Sequence, residues 1–225
     1  MPSFLEAPVA GAYHLVTSLV TTLEPLTGGY AAVIAIVLCT LAVRLLLVPL
    51  SLRAHRGTRA RAALMPQVKT ISDRHRGDPE RLQRELAKLQ AETGTSMFAG
   101  FLPALAQVPF FWLMYTLFSR AMVAGESNQL LSGSLLGAPL GAHWPAFTGT
   151  PAFLVLAVLL GLVAWFSARL QLRQLDETAS PLSRRMARLL PFGTLLSASF
   201  IPLAAGLYLL TTTIWTVVER AVLQR

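Results

Sequence analysis

Between Tyr30 and Leu52 the chain runs 23 residues with a single charge, Arg44. A helix of that length rises about 35 Å, enough to cross a hydrocarbon core about 30 Å thick. A segment this apolar reads as a membrane span. An arginine near its middle costs about 2.5–3.5 kcal/mol on insertion scales unless it faces water or a partner. The rest of the sequence must therefore supply further spans, and something for Arg44 to meet.

Two more runs have the required character: Met97 to Phe118 and Pro151 to Ala168 carry no charge. Leu189 to Val218 is uncharged over 30 residues, about 45 Å of helix, which is long for one span and short for two. Charge placement arbitrates. Ten Lys or Arg lie between Arg53 and Ser96, Arg120 is the only one between Ser119 and Thr150, and five arginines lie between Arg169 and Arg188. By the positive-inside rule the first and third of these connections are cytoplasmic and the second is external. Folding Leu189 to Val218 into two short helices, with the turn near Pro202 and Gly206, returns Arg220 and Arg225 to the cytoplasm. One tilted, kinked span is the alternative.

The fold class expected is an all-α polytopic membrane protein with five transmembrane helices, N-terminus out and C-terminus in. Residues 1–29 form an external segment, within which YHLVTSLVTTLEPL is a candidate interfacial helix. Spans follow at 30–52, 97–118, 151–168, 189–203 and 204–219. A cytoplasmic hairpin fills 53–96, an irregular external loop 119–150, a cytoplasmic loop 169–188 and a tail 220–225. The N-terminal segment holds no Lys or Arg, so it lacks the basic start of a signal peptide and is taken as mature protein. The single cysteine, Cys39, lies in an apolar run and is read as a small buried hydrophobe.

The hairpin is legible residue by residue. Asp78 is placed to cap a helix, Pro79 suits its first position and Glu80 favours the positive end of the dipole. Leu82, Leu86 and Leu89 then fall on one stripe, and Leu64, Val68 and Ile71 show similar spacing before the Gly77 turn. Two amphipathic helices are expected to pack antiparallel through these stripes. No aromatic residues interleave with the bases, which argues against a base-stacking or sequence-specific nucleic-acid surface.

Arg44 lies too deep for easy snorkelling, and the other uncharged runs contain no Asp or Glu, so no buried acid is expected to neutralise it. Water in an open cavity, carbonyls freed near prolines, and the polar groups of Gln107, Ser197, Ser199, Thr211, Thr212 and Thr213 remain as candidates. Pro103, Gln107 and Pro109 loosen the second span around a buried amide. His14, His55, His75 and His143 are scattered, with no acid or cysteine at ligand spacing. No nucleophilic triad or glycine-rich phosphate loop can be assembled either. Neither an enzyme nor a cofactor is expected.

Taken in order, VRLLLVPL, MPQVKTISDRHRGDPERLQRELAKL, GFLPALAQVPFF and IPLAAGLYLLTTTIWTVVER resemble the YidC, Oxa and Alb family of membrane protein insertases, over about residues 28 to 220. The resemblance implies a five-helix core around a polar groove open to the cytoplasm and lipid. It also implies substrate contacts at Arg44, Gln107, Tyr208 and Trp215. Partners implied are nascent membrane proteins and membrane lipids, with the Sec translocon, the ribosome or the signal recognition particle pathway as candidates at the basic hairpin. The location implied is the bacterial plasma membrane, in a short form without a large external domain. This chain departs from the family pattern where Tyr208 is followed by Leu209 instead of Trp, and where Glu219 stands at a place usually held by glutamine. A small channel or carrier for an anionic solute, using the buried arginine, is the competing reading.

Overall fold

The computed structural model describes residues 3–94, 105–123, 125–144, 150–173, 175 and 180–223. It divides into two compact units, Met1–Arg44 with Trp112–Arg225, and Leu45–Phe111. The helices are α1 (Ser3–Thr27), α2 (Ala31–Arg74), α3 (Pro79–Thr93), α4 (Val108–Ser119), α5 (Pro151–Arg173), α6 (Pro181–Leu189), α7 (Gly193–Ala198) and α8 (Leu203–Leu223). Short 3-10 turns join α1 to α2 and α6 to α7. Among the described residues, two helical stretches, Ala7–Arg74 and Pro151–Arg173, are long and apolar enough to cross a membrane, with Val108–Ser119 a shorter apolar helix. Residues 97–104 of the second expected span lie outside the described residues.

In the first unit, small residues let the helices approach closely. Ala31, Ala32, Ala35 and Ile36 of α2 and Ala152, Leu156, Leu160 and Ala164 of α5 are buried, as are Leu203, Ala204 and Ala205 of α8. Backbones that must pack without help from water rely on such small side chains. Gly206, expected at a turn, instead lies inside α8, where an added Cβ would stand 2.6 Å from Leu156 Cδ2. The chain breaks just before it, between α7 and α8. The opposite face of α5 leaves Leu154, Val158, Leu162 and Trp165 exposed. Near the end of that helix the Arg169 guanidinium stacks 4.4 Å from the Trp165 ring, an arrangement suited to a hydrocarbon–water boundary. The N-terminal helix α1 buries Val9, Tyr13 and Val16, one helical stripe, in the same core.

The loop between α4 and α5 is not the irregular connection expected. It folds into two small antiparallel hairpins, β1 (Met122–Val123) with β2 (Glu126–Ser127) and β3 (Ser134–Leu135) with β4 (Ala138–Pro139). The second turn holds Leu136 and Gly137 at φ 49° and 84°, both left-handed, as a two-residue turn of the primed type requires. Asn128 locks the loop: its Nδ2 donates to the carbonyls of Leu117 at 2.8 Å and Arg120 at 2.9 Å, and its Oδ1 accepts from the Leu130 amide at 3.2 Å. The Tyr13 hydroxyl ties α1 to this loop, donating to Ser127 and accepting from the Gln129 amide. The loop in turn completes α8, whose first amides, Leu203 and Ala204, donate to the carbonyls of Ala142 and Leu140 at 2.9 and 2.8 Å. These are groups that a helix start leaves unsatisfied.

Replacing Asn128 with Leu would strand these buried partners and should lower stability by about 2 kcal/mol. The midpoint of thermal unfolding in detergent checks it; an unchanged midpoint would remove the locking role.

In the second unit, α2 continues past Leu52 without a break, through Pro66, to Arg74. Asp78 caps α3 as its sequence predicts, accepting from the Arg81 amide at 3.0 Å, and Gly94 ends the helix in the left-handed region at φ 64°. Leu64, Val68, Ile71, Leu82, Leu86 and Leu89 are all half-buried, whereas most of their neighbours are exposed. These stripes are thus the less exposed sides of the two arms. Exposed ion pairs Arg76–Asp73, Arg81–Asp78 and Arg84–Glu80 decorate the outside and contribute little to stability.

Candidate functional site

Arg44 stands on α2, half-buried, and its Nε donates to the Thr212 hydroxyl of α8 at 2.8 Å. The choice of Thr212 follows from how α8 treats its hydroxyls. Thr211, Thr213 and Thr216 each donate back to the carbonyl four residues earlier, at 2.9, 2.6 and 2.8 Å, the usual solution for a hydroxyl in an apolar helix. Thr212 faces Arg44 instead, and Tyr208 stands one turn before it on the same side of the helix. Tyr208 is buried, with its ring 5.9 Å from that of Phe118 on α4. Arg44 and Thr212 therefore form a polar link between α2 and α8, with Tyr208 one turn away.

Spacing extends this face. Tyr208, Thr212, Trp215 and Glu219 stand at i, i+4, i+7 and i+11, which places them on one stripe of α8. Trp215 and Glu219 are half-buried. The Oε1 of Glu219 is nonetheless shut off from solvent and has no hydrogen-bond partner, and the residue lies within electrostatic reach of Arg44. The expectation that no acid would approach Arg44 is thus corrected. Its physical reason is length: α8 continues to Leu223 and carries Glu219 into the packed region, whereas the uncharged run in the sequence stops at Val218. The two do not form a direct ion pair.

Beyond Nε, the guanidinium makes no other hydrogen bond or ion pair among the described residues. One edge of the fork is fixed and the other, with its two Nη groups, remains to bind a carboxylate or carbonyl. Gln107 belongs to the second unit, half-buried in the turn before α4, with its carbonyl accepting from the Phe111 amide at 3.1 Å. The structure ties Arg44 to Thr212 and sets Tyr208 and Trp215 on the same stripe as that threonine. Sequence reasoning placed Thr212 only within a set of candidates and noted Glu219 only as a departure from the family pattern; the i, i+4, i+7, i+11 spacing was the signal that would have joined them. No group of three His, Cys, Asp or Glu able to hold a metal occurs among the described residues.

Comparison with known proteins bears on the whole of this architecture. Residues 22–225 match the family described as 60Kd inner membrane protein. The chain is 28% identical to a membrane protein insertase YidC of Streptomyces avermitilis over 95% of its own length and 56% of the relative's. It is 29% identical to one of Mycolicibacterium paratuberculosis over 83% of its length and 65% of the relative's. It is also 30% identical to the chloroplastic ALBINO3-like protein 1 of Arabidopsis thaliana, over 87% of its length and 44% of the relative's. The chain thus spans between about half and two thirds of the length of these relatives. With all but its first residues matched, it belongs to the 60Kd inner membrane protein family, the YidC, Oxa and Alb group that its motifs resemble.

Proposed function

We propose that this protein is a membrane protein insertase and chaperone of the bacterial plasma membrane. It receives the hydrophilic segment of a nascent membrane protein in a polar groove open to the cytoplasm and releases the apolar segment into the bilayer. The observation that carries this reading is Arg44, held by Thr212 at one edge of its guanidinium while the Nη groups keep no protein partner among the described residues. Such a group can take a carboxylate or a backbone carbonyl of an incoming chain and give it up again, since it stays half-buried and is never fully withdrawn from water. No nucleotide hydrolysis is needed, because the transfer of apolar surface into lipid supplies the driving force.

In this reading the chain crosses the membrane five times, N-terminus out and C-terminus in, Tyr208 and Trp215 contact substrate beside Arg44, and Gln107 is a further substrate contact. The exposed apolar face of α5 meets lipid, and the basic arms of the second unit meet headgroups or delivery partners such as the Sec translocon, ribosome or signal recognition particle. The test is reconstitution of the purified protein into liposomes, with protease protection of a freshly synthesised two-span substrate. Protection above that of empty liposomes is expected. Equal protection, with anion flux rising only in the loaded liposomes, would replace this reading with that of an anion carrier.

A further inference from the structure

Glu219 has a role that the receiving arginine alone does not explain. It shares the stripe of Tyr208, Thr212 and Trp215 on α8, seven residues beyond the threonine that holds Arg44, a separation of about 10 Å along the helix. Its Oε1 is fully shielded and accepts no hydrogen bond. A carboxylate oxygen stripped of water without a donor is unfavourable unless positive potential compensates. Its sequence neighbour Arg220 projects about 100° away around the helix, and the three ion pairs among the described residues all lie on the exposed arms around α3. The cation that faces the same stripe is Arg44.

Resting on the insertase reading, we propose that Glu219 is a specificity-determining residue: with Arg44 it makes the receiving face a cation and anion in series, which admits translocated segments of low net charge and disfavours strongly acidic ones. An acidic segment that places a carboxylate on the free edge of Arg44 meets the Glu219 charge about 10 Å further along the helix. At an effective dielectric of about 20, one elementary charge at that range changes occupancy about tenfold. A segment carrying an acidic and a basic residue can satisfy both ends, whereas a neutral polar segment is indifferent to Glu219. Charge arranged against the wrong partner is a common route to selectivity.

The experiment uses the full chain in liposomes with three two-span substrates that differ only in the translocated loop: strongly acidic, neutral polar, and one acidic with one basic residue. Insertion is read by protease protection. Glu219→Gln should raise the ratio of acidic to neutral insertion about tenfold and lower the preference for the mixed loop. Glu219→Met, run beside it, removes the charge without leaving a buried amide and should shift the ratio the same way. An unmoved ratio in both variants, or an equal fall for all three loops, overturns the proposal and leaves Glu219 as a packing residue. Wild-type protein that inserts none of the three overturns the insertase reading, and the inference falls with it; insertion by the wild type with an unmoved ratio overturns the inference alone.

Discussion

Arg44→Ala should reduce protease-protected insertion of a substrate with a moderately acidic loop by about tenfold or more, the loss expected when a hydrogen bond to a charged group worth about 1.5–3 kcal/mol disappears. The change also removes the tie to Thr212, so a fall in activity could in principle come from loosened helices. Thr212→Val separates the two effects, since it deletes the tie and keeps the cation. If the free edge of the guanidinium does the work, Thr212→Val should cost only a few-fold, and Arg44→Lys should retain part of the activity. A lysine keeps the charge but must choose between Thr212 and substrate, where arginine serves both. Equal losses in Arg44→Ala and Thr212→Val would reduce Arg44 to a structural tie.

The second large effect is on stability. Phe118 is fully buried at the end of α4, against Tyr208 of α8. Phe→Ala in soluble cores costs about 3–5 kcal/mol, and where lipid receives part of the exposed surface the loss is mainly that of packing contacts, about 2 kcal/mol or more. Phe118→Ala should therefore lower the unfolding midpoint in detergent by more than any single change on the exposed arms. Because the Phe118 ring braces Tyr208, insertion should also fall. A midpoint within error of the wild type would show that α4 and α8 are not coupled through this ring.

What could be read from the sequence was mostly what local chemistry decides. The start of α3 was legible because Asp78, Pro79 and Glu80 act within a single turn, and the stripes of the two arms because period and polarity coincide there. The family could be recognised from four motifs in order. The partner of Arg44 was narrowed to a polar set but not chosen, since the choice depends on which α8 hydroxyl turns away from its own helix, a tertiary matter. Glu219 was noted as a departure from the family pattern but not as a neighbour of Arg44, because a charge ends an apolar run in the sequence but not the helix. The loop between α4 and α5 was misjudged for a different reason: strands of two residues are too short for alternation to show, and the reversals are marked by left-handed residues, Gly125 in the first hairpin and Leu136 with Gly137 in the second.

The bonds from Leu203 and Ala204 to the loop carbonyls bear on how the molecule is made. The helix that bears Tyr208, Thr212 and Glu219 follows this loop in the chain, so the acceptors for its opening amides belong to a segment made before it. That segment can take shape early, because its hairpins and its asparagine lock use near neighbours in the chain and short-range closure is fast. Docking of α8 is then a later step onto a prepared rim, and the bond between Arg44 and Thr212 comes into being only at that moment. Until α8 has docked, Arg44 lacks the hydroxyl that holds one edge of its guanidinium.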